Sequence, residues 1–309
     1  MKNRKVVIAN PHGFCAGVRH AVEIAGVALQ RTAEPLYALN EIVHNREVVE
    51  SFRSRGITFV RDLSEVPSGR TVLFSAHGVS PTIRAAAAER QLKVIDATCP
   101  FVTKVHKEVI RYATQGYSIV LIGHKGHDEV VGIAGEAPDH VTVVENCADA
   151  RVFTPRNRQH VAVVTQTTLS AAEAGAVIEV LRQRFPGLEA PQTSDICYAT
   201  TNRQEAVRLV AARVGDILVL GAANSSNTRR LVEVANAAGA RGHLVSELGD
   251  IEQIELEGIE AIGLTAGAST PQTFVKRVLL RLAEKGFEEI EEVESAHENI
   301  TFPLPAGLR

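Results

Sequence analysis

Short apolar runs alternate along this chain with stretches whose apolar residues recur every three to four positions, and no other feature limits the fold as tightly. The runs are Val6 to Ala9, Thr71 to Phe74, Ser118 to Ile122, Val161 to Val164, Asp216 to Leu220 and Ala261 to Leu264. Nearly continuous Val, Ile and Leu over four or five residues is the pattern of a strand buried on both faces of a parallel sheet. Between the runs, Arg84 to Arg90, Ala171 to Arg184 and Arg203 to Arg213 are rich in the helix formers Ala, Leu, Glu and Arg. Parallel strands need long crossovers, so strand, loop and helix repeated through 309 residues predict an α/β fold.

No Pro/Gly/Ser-rich linker divides the chain, and its organisation comes from internal repetition instead. Cys15 opens CAGVRHAVEIA, Cys99 opens CPFVTKVHKEVIRYA and Cys197 opens CYATTNRQEAVRLVA, at intervals of 84 and 98 residues. A polar loop follows each cysteine by 29, 28 and 28 residues, at His44, His127 and Ser225. A second loop follows 33, 40 and 44 residues later, at His77 in SAHGVSP, Thr167 in TQTTLS and Ser269 in AGASTP. This repetition predicts three similar α/β units around a pseudo-threefold axis, a trefoil-like arrangement enclosing a central cavity. The units are 1–96 with 283–309 (the N-terminal strand and C-terminal tail joined to the first), 97–193, and 194–282.

Lys and Arg total 33 against 36 Asp and Glu, a net charge of −3. There is no bulk cationic field for a nucleic-acid backbone or an anionic membrane, so neither is an expected partner. The start of the chain has too short an apolar stretch for a signal-peptide core, and no later run nears the roughly 18 residues of a membrane span. A cytoplasmic location is expected, where four cysteines do not read as a disulfide framework.

Each loop carries an N-cap candidate ahead of a helical pattern: Asn45, Ser80, Asp128, Thr168 or Ser170, Asn227, and Ser269 or Thr270. Capping alone accounts for any one of them. Six together, facing inwards from the carboxyl ends of strands, offer unpaired N–H groups and positive dipole ends to a phosphorylated ligand. His44, His77, His127, Thr167, Ser225, Ser226, Asn227 and Ser269 would add neutral hydrogen-bond partners.

The three repeated cysteines lack CxxC spacing, which argues against a zinc ribbon or a thioredoxin-type dithiol. Brought together by the repeat, three thiolates could hold an iron–sulfur cluster with one iron open as a Lewis acid. Three-thiolate zinc and three separately buried cysteines are the alternatives. Cys147 lies outside the repeat phase and reads as filler, and His12, His20, His106, His140, His160, His243 and His297 as surface or locally bonded residues. Glu129, two residues beyond His127, is either a first-turn helix acid or the proton source of a reduction.

GFCAGVRHAV, EIVHN, SAHGVSP, DATCPFVTKVH, LIGHKGHDEV, TQTTLS, DICYATTNRQEAV, NSSNTRRL and TAGAS stand in order along nearly the whole chain. Together they resemble the signatures of the 4-hydroxy-3-methylbut-2-enyl diphosphate reductase family. The resemblance implies a two-electron reductive dehydroxylation giving isopentenyl and dimethylallyl diphosphate, the last step of the methylerythritol phosphate route to isoprenoids. It implies a 4Fe–4S cluster held by Cys15, Cys99 and Cys197, with a ferredoxin or flavodoxin as electron donor. The diphosphate would lie among His44, His77, His127, Ser225, Ser226, Asn227 and Ser269. Thr167 would hold the substrate hydroxyl, and Glu129 with His127 would relay the proton. Thr228 stands where the pattern suggests Ser. A quinolinate-synthase-like dehydratase and a cluster-binding sensor are the competing readings, and the NSSN and TQTT loops argue against the first.

Overall fold

A computed structural model describes residues 4–32, 34–191 and 193–308. The chain divides into two compact units: one of residues up to Val18 with His44–Val48 and Tyr198–Thr301, the other of Arg19–Val43, Val49–Cys197 and the segment from Phe302.

The first unit is built on a five-stranded parallel sheet. Its strands are β1 (Arg4–Asn10), β9 (Asp216–Leu220), β10 (Arg241–Val245), β11 (Ala261–Ala266) and β12 (Phe287–Glu294), in the order β10-β9-β11-β1-β12. Successive residues of a strand face opposite sides. Val6 and Ile8, with Leu218, Leu220, Ile262 and Leu264, pack beneath Val275 and Val278 of α10 (Gln272–Glu284). Val7 and Ala9, with Ile217 and Val219, pack against Val207 and Val210 of α8 (Tyr198–Ala211) and Leu231 of α9 (Ser226–Ala237). The runs are apolar throughout because both faces are covered, and each buried Val, Leu or Ile contributes about 1.5–3 kcal/mol.

The second unit holds two parallel sheets. One contains β2 (Leu36–Leu39), β3 (Ile57–Val60), β4 (Thr71–Phe74) and β5 (Lys93–Asp96), in the order β3-β2-β4-β5. The other contains β6 (Ser118–Ile122), β7 (Val141–Val144) and β8 (Val161–Thr165), in the order β7-β6-β8. On its far side β8 is extended by a parallel bridge between Ala162 and Glu189. One face of this sheet is covered by α4 (Pro100–Thr114) and α5 (Asp128–Ala134), the other by α6 (Cys147–Val152) and α7 (Ala171–Arg184).

All three sheets share one topology. The first strand of each set (β2, β6, β9) has the second (β3, β7, β10) on one side and the third (β4, β8, β11) on the other. A fourth extended segment, β5, Glu189 or β1, follows beyond the third. The repeat in the sheets is therefore offset from the repeat counted at the cysteines, for each cysteine comes after the fourth segment. The division at 1–96 with 283–309, 97–193 and 194–282 misplaces the chain ends accordingly: β1 pairs with β11 and β12, in the sheet of the third set rather than the first. Val6 and Ile8 complete the core beneath α10, a contact some 270 residues away in sequence that no local pattern records.

All six apolar runs are strands. Among the described residues, the strands without such a run are the sheet edges β3, β5, β7, β10 and β12 and the internal β2. β12 reads FEEIEEVE: charge on an unpaired edge discourages pairing with another chain and also erases the apolar signature. Among the described residues no helix is long and apolar enough to cross a membrane.

Candidate functional site

In a sheet of this topology the connections leave the first and third strands in opposite directions. The carboxyl ends of these neighbours then flank a crevice at which α/β proteins bind ligands. The pairs here are β2 with β4, β6 with β8 and β9 with β11. The loops that follow them are those singled out in the sequence.

One residue organises each crevice from the same place, two positions past the third strand. The N–H of Ala76, Thr167 or Ala268 reaches the first loop or its helix: Ala76 donates to the Ile42 carbonyl (3.1 Å), Thr167 to Glu129 Oε1 (2.7 Å) and Ala268 to Asn227 Oδ1 (2.8 Å). The carbonyl of the same residue accepts the backbone N–H of a cysteine: Cys99 at 3.0 Å, Cys197 at 3.1 Å and Cys15 at 3.2 Å. Each cysteine immediately precedes a helix, α1 (Ala16–Arg31), α4 or α8. Helix N-termini offer N–H groups to a sulfur ligand, and Val18 N–H points at Cys15 Sγ at 3.4 Å. None of the four cysteines is in a disulfide. Each of the three is a partly exposed thiol in the same repeated setting, and thiolates are the donors that an iron–sulfur cluster takes. Cys147 has a different setting, opening α6 behind the cap Asn146 and packing on the core of the three-stranded sheet.

In the first unit, Ser225 caps α9 by accepting from Thr228 N–H. Ser226, Asn227 and Ser269 are buried beside it in sequence or across the crevice, and Ser269 Oγ donates to the His44 carbonyl (2.8 Å). Asn227 Oδ1 is used, but its Nδ2 is buried with no hydrogen-bond partner. A buried amide donor at a helix N-terminus is fitted to an anion and is costly without one. Gly221, at φ +145°, and Gly267 bring the two loops onto the Thr228 hydroxyl. A Cβ would come within 2.5 Å of Oγ1 at Gly221 and 2.1 Å at Gly267. Thr228, read from the sequence as a minor variation, is thus the floor on which both loops rest.

In the second unit, His127 caps α5 through Nδ1, which accepts from Glu129 N–H (3.2 Å). An accepting Nδ1 leaves the proton on Nε2, a donor for an anion. The His77 ring lies edge-on to His127, centroids 5.8 Å apart, with Nδ1 beside Ser75 Oγ (3.2 Å) and Asp128 Oδ2 4.0 Å away. Glu129 is 2% exposed: its two oxygens accept from the N–H (2.7 Å) and hydroxyl (2.9 Å) of Thr167. Gln166 draws the same two loops together, accepting from His124 N–H (3.0 Å) and donating to Thr168 Oγ1 (2.9 Å). His77, His127, Glu129 and Thr167 are therefore gathered in one unit, and His44, Ser225, Ser226, Asn227 and Ser269 belong to the other.

The model of the LytB protein family matches residues 6–283. The 4-hydroxy-3-methylbut-2-enyl diphosphate reductase of Mycolicibacterium paratuberculosis is 50% identical over 307 residues, 99% of this chain and 92% of that one. The chain belongs to the 4-hydroxy-3-methylbut-2-enyl diphosphate reductase (LytB) family. A solved structure of the E-1-hydroxy-2-methyl-but-2-enyl-4-diphosphate reductase of Plasmodium falciparum matches with a TM-score of 0.95 at 36% identity, over 99% of this chain and 97% of that one. A second, of (E)-4-hydroxy-3-methyl-but-2-enyl diphosphate reductase, the terminal enzyme of the non-mevalonate pathway, matches at 0.64 and 31% identity, over 91% of this chain and 99% of that one. The α/β fold of this reductase family is thus the fold of the chain.

Three caps differ from the sequence reading. His127 rather than Asp128 caps α5, Ser225 rather than Asn227 caps α9, and Pro271 rather than Ser269 or Thr270 precedes α10. In the first two the helix starts earlier than the cap preference suggested, which releases Glu129 and Asn227 at the second helical position to bind the opposite loop. Of the two readings given for His106, surface or locally bonded, the structure shows a bonded ring: it is buried on α4, with Nδ1 2.7 Å from Glu136 and its ring against Gly78. Gln166 and Arg203 escaped the sequence reading, and Asp128 was read there only as a cap. TQTTLS was legible as a loop, but its hydroxyls drew attention away from the amide that fastens it. Burial pushes the Tyr198 phenol up to about 12, with the charges of Glu298 and Cys15 adding. Burial also holds His12 below the usual imidazole range, so the turn before Cys15 carries a neutral ring.

Proposed function

We propose that the chain converts (E)-4-hydroxy-3-methylbut-2-enyl diphosphate to isopentenyl and dimethylallyl diphosphate, using a 4Fe–4S cluster held by Cys15, Cys99 and Cys197. The observation that carries this reading is the cysteine placed three times at a helix start and hydrogen-bonded to the residue that organises a crevice. The allylic alcohol takes up two electrons and two protons, the carbon–oxygen bond breaks, and water leaves. When bound, the cluster supplies the electrons and Lewis acidity toward the substrate hydroxyl.

The protein's own groups bind and orient the substrate and move its protons. Asn227 Nδ2, the Ser225 and Ser226 hydroxyls and the start of α9 suit diphosphate oxygens, as do His44, Ser269 and the ring donors of His77 and His127. Hydroxyl, amide and imidazole donors hold the anion there. Glu129 and Thr167 form the proton path. The Thr167 hydroxyl lies 2.9 Å from Glu129 Oε2, to which it donates; once Glu129 is protonated, the hydroxyl turns to accept that proton and releases its own to the departing oxygen. A ferredoxin or flavodoxin would deliver the electrons.

Anaerobic turnover of the synthetic substrate by cluster-loaded protein, with a reduced viologen as donor, tests the reading. The expected result is both five-carbon diphosphates from the wild type and neither from Cys15→Ser. No turnover despite an intact iron–sulfur spectrum would overturn it and favour the dehydratase or sensor.

A further inference from the structure

Arg203, on α8, is 1% exposed, and all five of its N–H donors are occupied. Nε (3.1 Å) and Nη2 (2.8 Å) converge on the carbonyl oxygen of Gly13. Nη1 (2.9 Å) and Nη2 (3.3 Å) grip the two oxygens of Glu298, and Nη1 also donates to the Ala199 carbonyl (3.0 Å). Glu298 is itself nearly buried and takes a further bond from Asn202 Nδ2 (3.2 Å). A buried ion pair is weak evidence for stability, since apolar residues of the same volume often serve as well. The geometry of this pair points to what it holds.

Gly13 stands two residues before Cys15 at φ +67°, with Thr270 O only 3.1 Å from where a Cβ would sit. Its N–H donates to the Ala266 carbonyl (2.9 Å), and Cys15 N–H donates to Ala268 O. The turn that presents Cys15 is thus pinned on one side by the loop after β11 and on the other by a guanidinium fork on Gly13 O. We infer that Arg203 and Glu298 are a positioning pair for Cys15, Arg203 fixing the turn that aims the sulfur and Glu298 balancing its charge beside the cluster. The inference rests on the iron–sulfur reading proposed above. Partners behind a metal ligand set both its orientation and, through local charge, the reduction potential of an iron–sulfur centre.

The test uses cluster-loaded wild type, Glu298→Gln, Arg203→Gln and Arg203→Lys. Midpoint potentials are measured by anaerobic titration, and cluster loss is followed as bleaching of the visible absorbance in chelator. Removing the carboxylate charge should raise the potential and removing the guanidinium should lower it, whereas general loosening of the fold would move both variants the same way. Arg203→Lys keeps the charge without the fork, so its potential should stay near wild type while cluster loss quickens about 10- to 100-fold. Potentials that do not move, or that move in the same direction in the two Gln variants, overturn the electrostatic part. Loss from Arg203→Lys at the wild-type rate overturns the geometric part. If Arg203→Gln does not fold, Glu298→Gln, which keeps the shape and an acceptor oxygen, decides the first question and Arg203→Lys the second. A wild type that assembles no cluster would sink the proposed function, whereas an intact wild type matched by its variants would sink this inference alone.

Discussion

Both oxygens of Glu129 are taken by Thr167, which makes the pair a single unit for proton handling. Glu129→Gln keeps the shape: the amide oxygen can accept from the Thr167 N–H, and the hydroxyl can turn to accept from the amide nitrogen. The fold should therefore survive while the transferable proton is lost. We expect kcat to fall about 10²- to 10⁴-fold with KM little changed in anaerobic steady-state kinetics. A rate equal to wild type would remove Glu129 from the proton path. At this scale the sequence was informative where chemistry is local. HKGHDEV placed a carboxylate beside a histidine, but the direction of that carboxylate depends on a loop 38 residues away, and Gln166 and Arg203 do their work through partners that spacing does not reveal.

At the scale of elements, glycine allows two loops to close on one threonine. Gly221→Ala meets both a left-handed φ and the Thr228 and Thr270 hydroxyls at 2.5 and 2.8 Å. Gly239→Ala, after α9 at φ +90°, meets nothing within 4 Å. Strain alone should cost about 1 kcal/mol at Gly239, and strain with overlap about 3 kcal/mol at Gly221, read from urea unfolding of the apo-protein. Equal losses would show that Thr228 yields and does not support the loops. The pairing of β9 with β10 involves a carboxylate at the start of β9. Burial alone would raise the Asp216 carboxyl, but hydrogen bonds from His243 (2.7 Å) and Arg241 (2.8 Å) outweigh it and hold the group below its ordinary range. The folded state then binds this proton less readily than the unfolded chain does. Its stabilisation is complete above about pH 4 and fades as pH falls through the lowered native value. Asp216→Asn should be less stable than wild type at neutral pH, with the gap narrowing on acidification in thermal melts. A gap independent of pH would assign the loss to packing. Among the strands, only those with a long apolar run were legible, because edge strands such as β12 carry the charge that keeps them single.

The repeat runs along the whole chain, and it was visible in sequence only out of phase. Counting from the cysteines found the three sets of loops, because cysteine, first loop and second loop keep order along the chain. The sheets begin each set one step later. The strand before Cys15 lies at the start of the chain and pairs with β11 near its end, a closure that only non-local packing specifies. The same repeat separates the four cysteines. Cys15, Cys99 and Cys197 each follow a fourth extended segment, begin a helix and bond to a crevice residue; Cys147 sits inside α6 against the core of one sheet. Replacing sulfur with oxygen removes a thiolate ligand at any of the first three, where a two-ligand remnant should hold its iron poorly. Each of Cys15→Ser, Cys99→Ser and Cys197→Ser should therefore lose most of the roughly four irons per chain, the visible absorbance and turnover. Cys147→Ser should keep all three and lose about 1 kcal/mol of stability, because it trades a small half-buried thiol for a hydroxyl at the edge of a core. Iron analysis after anaerobic reconstitution decides the matter: iron retained in any of the first three variants, or lost with Cys147, would break the link between the repeat and the ligand set.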